Sequence, residues 1–108
     1  MAKKYKDDDG MYLSLVDNGD RWTFGWYCDK EGYVTWEVND ILDDRWCMSD
    51  TSPVEKTKWE SWIVGKVALE HGVGGGSNRG FGSKKAAQVA MKAANEALLR
   101  GDRKPEPA

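Results

Sequence analysis

Residues Gly72 to Gly101 read GVGGGSNRGFGSKKAAQVAMKAANEALLRG, and this run decides the fold. Ser83 is a good N-cap, because its hydroxyl can accept a bond from a free backbone N–H of the first helical turn. Gly101 suits the left-handed position that ends a helix, and Arg100 in the last turn complements the helix dipole. Between them Ala87, Ala90, Met91, Ala94, Ala97 and Leu98 recur at helical spacing, while Lys85, Gln88, Lys92, Asn95 and Glu96 fall largely on the other side. The spacing predicts a helix about 27 Å long at 1.5 Å per residue. Its apolar stripe is mostly alanine, and small residues allow close approach to a surface of large side chains.

The chain upstream offers that surface. Met11 to Asp17 alternates, with Met11, Leu13 and Leu15 on one side. Asp17-Asn18-Gly19-Asp20 follows as a hairpin signal. Arg21 to Cys28 places Trp22, Phe24, Trp26 and Cys28 on one face, and Asp29-Lys30-Glu31-Gly32 closes a second turn. Tyr33 to Val38 places Val34, Trp36 and Val38 on one face. The expectation is a three-stranded meander whose leucine, tryptophan and valine face receives the alanine stripe. The opposite face carries Tyr12, Thr23, Tyr27, Tyr33 and Thr35 as a candidate interaction surface. The same residue types also simply favour half-buried pleats.

Asn39 to Asp50 reads as an irregular acidic loop in which Trp46 tucks back as an anchor and Cys47 sits in loop. Its carboxylates, Asp40, Asp43, Asp44 and Asp50, lack the spacing of an EF-hand. Ser52-Pro53-Val54-Glu55 is a capping box with proline at the first helical position. Beyond it Trp59, Ser61, Ile63, Val67 and Leu69 share one parity and β-branched residues are dense. The reading is a helical turn at 53–57 followed by a fourth strand, Trp59 to Leu69. The alternative is one continuous helix from 53 to 70 with Trp59, Trp62, Ile63 and Val67 buried. The fold class expected is therefore α+β: an antiparallel sheet of three to four strands with one long C-terminal helix on its tryptophan-rich face. Residues 11–101 form the domain, with charged, disordered segments at 1–10 and 102–108.

The 108 residues suffice for one domain with a modest core, and 40% apolar content with six tryptophans is a globular composition. Net charge is −2, unevenly spread. Residues 1–52 carry 6 basic and 12 acidic side chains, and residues 53–108 carry 10 basic and 6 acidic. A bipolar chain of this kind can pair head to tail with a second copy or present a charged face to a partner, unless folding mixes the halves and cancels the fields. Cys28 and Cys47 are too few for a disulfide framework and are read as free thiols. No apolar run reaches transmembrane length, and Lys3, Lys4 and Lys6 lead into Asp7-Asp8-Asp9 and not into a signal peptide. These features point to the cytoplasm.

Catalysis finds little to build on. The single histidine, His71, has no identifiable nucleophile or carboxylate partner. One histidine and two distant cysteines do not make a zinc site, and no cofactor motif occurs, so no cofactor is expected. Two binding classes remain. The first is a small non-enzymatic module that binds another protein, as inhibitors carried by phages and mobile elements do against host machinery. The second is a nucleic-acid or nucleotide binder using Arg79, Gly80, Gly82, Ser83, Lys84, Lys85 and Lys92, where a helix N-terminus, glycines and cations gather. Gly80, Gly82, Ser83, Lys84, Lys85, Ala87 and the alanines after them resemble the last strand-to-helix corner of double-stranded RNA-binding domains. The resemblance implies phosphate contacts by Lys84 and Lys85 across a duplex groove. It covers about a quarter of the chain. The sequence departs from the family in three places: one residue fewer between Gly82 and Ser83, Gln88 where a third lysine is usual, and no amphipathic helix opening the fold. Against this class stands a pI near 5.4, since nucleic-acid binders carry a basic footprint.

Overall fold

The computed structural model describes residues 4–49, 56–74 and 79–105, with the side chains of residues 56–58 left aside. The meander forms as its alternation predicts. Strands β1 (Tyr12–Asp17), β2 (Trp22–Cys28) and β3 (Tyr33–Glu37) make one antiparallel sheet in the order β1-β2-β3. Leu13 lies opposite Trp26 and Leu15 opposite Phe24, so the bulky residues share a face. Helix α4 (Lys84–Arg100) lies across β1 and β2 and buries Ala87, Ala90, Ala94, Ala97 and Leu98. The Ser83 hydroxyl accepts from the Ala86 N–H at 3.1 Å, and Gly101 closes the helix at φ 88°. The result is the α+β fold expected from the alanine stripe.

A register shift between Trp26 and Tyr27 changes which residues of β3 face the core. Trp36 pairs with Trp26, but Val34 pairs with Tyr27 and Tyr33 with Cys28. One residue of β3, Thr35, is the extra residue of a bulge, and its hydroxyl donates to the Trp26 carbonyl at 3.4 Å. Val34 therefore crosses to the outer face expected of Tyr33, and Tyr33 crosses to the face of Cys28. Val38 is not a strand residue. The Glu37 backbone N–H donates to the Asp40 carboxylate at 3.0 Å, and the chain turns directly into α1 (Val38–Asp43), burying Val38 and Ile41.

The segment expected to be an irregular acidic loop thus holds two short helices. In α2 (Arg45–Met48) the Asp44 carboxylate accepts from the Cys47 N–H at 3.0 Å. Cys47 is buried inside this helix and not in a loop, and Cys28 and Cys47 form no disulfide. Trp46 does not tuck back: it is 49% exposed.

The fourth strand is absent. Trp59 to Leu69 lies within helix α3 (Lys56–Glu70), as in the alternative reading, while the capping box at Ser52–Glu55 lies outside the described residues. The reason is burial on all sides. Residues Trp59 to Gly65 are buried consecutively against α1, α2 and α4, with Ser61 bonded to Trp26 of β2, so this stretch of the helix has no exposed face to declare its period.

Beside β2, Trp22 and Phe81 exchange backbone bonds, Trp22 N–H to Phe81 O at 3.1 Å and Phe81 N–H to Trp22 O at 2.7 Å. Phe81 occupies the place along β2 that β3 gives up when it turns into α1, and its ring stacks on Phe24 at 6.1 Å. This one bridge ties the glycine-rich loop to the sheet and sets where α4 begins.

Candidate functional site

Two surfaces were expected to carry function, and a third emerges from packing. The first is the basic corner before α4. Gly80 is buried there because a Cβ would stand 2.8 Å from Arg21 Cβ and 3.0 Å from the Trp22 carbonyl. Gly82, Ser83, Lys84 and Lys85 are exposed on the first turn, and Lys92 is exposed two turns along. Most of the polar groups already have partners. The Ser83 hydroxyl caps the helix, Arg79 pairs with Asp43 at 3.5 Å, and the Lys84 ammonium lies 5.3 Å from the centre of the Trp22 ring. Lys85 and Lys92 are left to solvent, with Gln88 and Glu96 on the same exposed side. The chain enters the corner through a single bridge residue, Phe81, and not through a strand.

The second surface is the tyrosine face. Tyr12 and Tyr27 are cross-strand neighbours with ring centres 5.3 Å apart, and the Tyr12 hydroxyl donates to Asp29 at 3.2 Å. The ammonium groups of Lys4 and Lys6 lie 4.6 and 5.7 Å from the Tyr12 ring centre. Thr23 does not belong to an accessible face, because it is completely buried. Tyr33, 58% exposed, lies with Cys28 on the other side, and Thr35 is exposed at the bulge. Of the five residues grouped by parity, only Tyr12 and Tyr27 pair on one face, and both are half-buried.

The third surface was not legible from periodicity. The charged segment 4–10, expected to be disordered, makes a turn closed by Asp7. Its carboxylate accepts from the N–H groups of Asp9 and Met11, each at 2.9 Å, and the Asp7 N–H donates to the Met11 carbonyl at 3.0 Å. Alternate residues of this strap go to opposite sides. Lys4 and Lys6 reach Tyr12, whereas Tyr5 meets Trp26 edge-on at 6.4 Å and donates its hydroxyl to the Glu60 carboxylate. Glu60 belongs to α3 and is 2% exposed. Its neighbour Ser61 accepts from the Trp26 indole N–H at 3.2 Å. Burial of the Tyr5 phenol, its bond to Glu60 and that carboxylate's charge together push its ionisation well above the ordinary tyrosine range, so Tyr5 stays a donor.

Strap, β2, β3 and α3 line a partly open cavity of about 100 Å³. Trp26, Trp36 and Met11 form apolar walls, and Asp7, Asp9 and Glu60 are its charged lining residues, with Ser61 beside them. The signals in the sequence were the inward parity of Trp26 and Trp36 and the acidic run at residues 7–9. Neither could be joined to Glu60 while the 59–69 segment was read as a strand.

A separate groove between α3 and α4 is polar, lined by Lys66, Glu70, His71, Glu96, Arg100 and Asp102. His71 is exposed at the end of α3. Among the described residues no group of histidine, cysteine and acidic side chains is arranged to hold a metal ion, and no helix is long and apolar enough to cross a membrane. Comparison with protein-family models, with characterised proteins and with solved structures finds no match to this chain.

Proposed function

We propose that this is a non-enzymatic binding module, an inhibitor or adaptor whose partner is another protein. The observation that supports it is the strap cavity, a partly open and mostly apolar recess walled by two indoles and Met11, with Asp7, Asp9 and Glu60 also among its lining residues. Aromatic anchors set in a recess with a polar rim are what concentrates binding energy at protein interfaces.

The nucleic-acid reading rests on the basic corner, and the geometry favours it less. A duplex binder spends its cations on phosphates. Here Arg79 is shared with Asp43, Lys84 with Trp22, and the Ser83 hydroxyl with its own helix.

A display selection tests the proposal: a random-peptide library panned on the wild-type protein and counter-selected on Trp36→Leu. The expected result is a set of peptides that bind the wild type and not the variant. A selection that returns none, together with saturable binding of duplex RNA at moderate salt, would replace the proposal with the nucleic-acid reading.

A further inference from the structure

We infer that the strap cavity is a receptor for a guanidinium group, the side chain of an arginine presented by the protein partner. The inference rests on the protein-binding reading and names the chemistry of its central contact. Trp26 and Trp36 are directly opposed across β2 and β3, which sets two indoles side by side in the cavity wall. An aromatic wall attracts a cation through the negative face of the ring, and tryptophan does this best. The surface of the recess is mostly apolar, and its charged lining residues are all acidic: Asp9 and Asp7 from the strap and Glu60 from α3, with the Asp7 carboxylate accepting from two backbone N–H groups and Glu60 from Tyr5. The strap's own cations are turned away, since Lys4 and Lys6 lie over Tyr12 on the other face.

The recess discriminates between cations. A guanidinium is flat, weakly hydrated and always charged, stacks on aromatic rings and forks onto a carboxylate. An ammonium is compact and strongly hydrated, and gives up more on entering apolar walls. The recess, about 100 Å³ and open to solvent on one side, has room for one side-chain head. The site is also preorganised, which reduces the ordering cost of binding. Tyr5 holds Glu60, Ser61 holds the Trp26 indole, and Asp7 is fixed by two backbone N–H groups.

The test is titration of the pure protein with N-acetyl-arginine amide, followed by tryptophan fluorescence and by the indole N–H resonances. The neutral isostere N-acetyl-citrulline amide and N-acetyl-lysine amide serve as comparisons. Saturation with a dissociation constant on the order of 1 mM is expected for one isolated contact, with shifts confined to two indoles and no saturation by citrulline. Trp36→Leu is expected to weaken arginine binding by on the order of ten-fold, and Asp9→Asn, an exposed position that leaves the fold intact, to weaken it less and only at low salt. Saturation by citrulline, equal binding of lysine, absence of saturation by arginine, or full affinity in both variants would each overturn the assignment. If display peptides that require Trp36 are found while arginine amide fails to bind, the protein-binding reading survives and the guanidinium assignment falls. If arginine amide binds and no peptides are found, the reverse holds.

Discussion

Glu60 is a carboxylate with 2% of its surface exposed, and such a group is expensive to bury unless it is bonded. Tyr5 supplies one bond from a chain segment 55 residues away. Tyr5→Phe keeps the ring on Trp26 and removes the donor, so it is expected to cost about 1.5–3 kcal/mol in a urea denaturation series, the range for hydrogen bonds to charged groups. The pH dependence follows from linkage. The folded protein raises the phenol's ionisation above its value in the unfolded chain. The unfolded state therefore loses its proton first as pH rises, and the stability contributed by Tyr5 is fully present below about pH 10 and declines above it. Tyr5→Phe should show a shallower alkaline decline than the wild type; identical slopes would mean that Tyr5 is not held by Glu60 in solution. Gly25 is set by contact on the other side of the sheet. A Cβ there would stand 2.3 Å from the Trp36 carbonyl, 2.6 Å from Glu37 Cα and 2.8 Å from Val34 Cγ1. Two of these are backbone atoms that cannot yield without parting β2 from β3. Gly25→Ala is expected to cost about 3 kcal/mol, the upper end of overpacking, and a melting temperature equal to wild type would contradict the bulge register.

At the scale of elements, what the sequence made legible depended on whether an element has two different faces. Helix α4 does: alanines pack on the sheet, charges face water, Ser83 and Gly101 mark its ends, and it forms where those residues place it. The strands of the meander alternate and were equally readable. Helix α3 has no second face along Trp59 to Gly65, and a parity of β-branched and aromatic residues is then as good a fit as a 3.6-residue period. The bulge at Thr35 was invisible for a related reason: alternation says which residues share a face only while the register is unbroken. The strap cavity needed both missing pieces, which is why it surfaced only in three dimensions. Gly65 tests the packing of α3. A Cβ there would meet Met48 Sδ at 2.7 Å, Met48 Cε at 3.0 Å and Ile41 Cγ2 at 3.2 Å. Alanine gains about 1 kcal/mol of helix propensity over glycine, and the end of a methionine side chain moves aside easily. Gly65→Ala alone is expected to be near neutral. In a Met48→Ala background, where the obstacle is gone, the same substitution should stabilise by about 1 kcal/mol. A double-mutant cycle measures the difference, and strictly additive effects would show that α2 does not pack on Gly65.

For the whole molecule, the question is where the charge goes. The acidic first half and the basic second half meet at an ion pair once folded, where Arg79 reaches Asp43. This contact weakens the single-signed field that head-to-tail pairing would use. What stays unbalanced is local, with carboxylates around the strap cavity and Lys84 and Lys85 on the first turn of α4. Lysines at a helix N-terminus oppose the dipole, and replacing exposed ones by acid should be favourable by about 0.3–1 kcal/mol each. Lys84 also loses its contact with Trp22, worth about 0.5–1 kcal/mol at an exposed site. The two effects nearly cancel at position 84, and position 85 keeps its gain. Lys84→Glu combined with Lys85→Glu is therefore expected to fold normally and to melt at or slightly above the wild-type temperature. Arginine-amide binding at the distant cavity should be unchanged. Titration of the wild type and the double variant with duplex RNA at two salt concentrations completes the comparison. If the lysines serve only as solvated surface, neither protein saturates. If instead the wild type saturates, loses affinity steeply as salt rises, and the variant loses binding altogether, then two unfavourable charges have been kept for a phosphate backbone. In that case the basic corner, and not the strap cavity, is where the protein meets its partner.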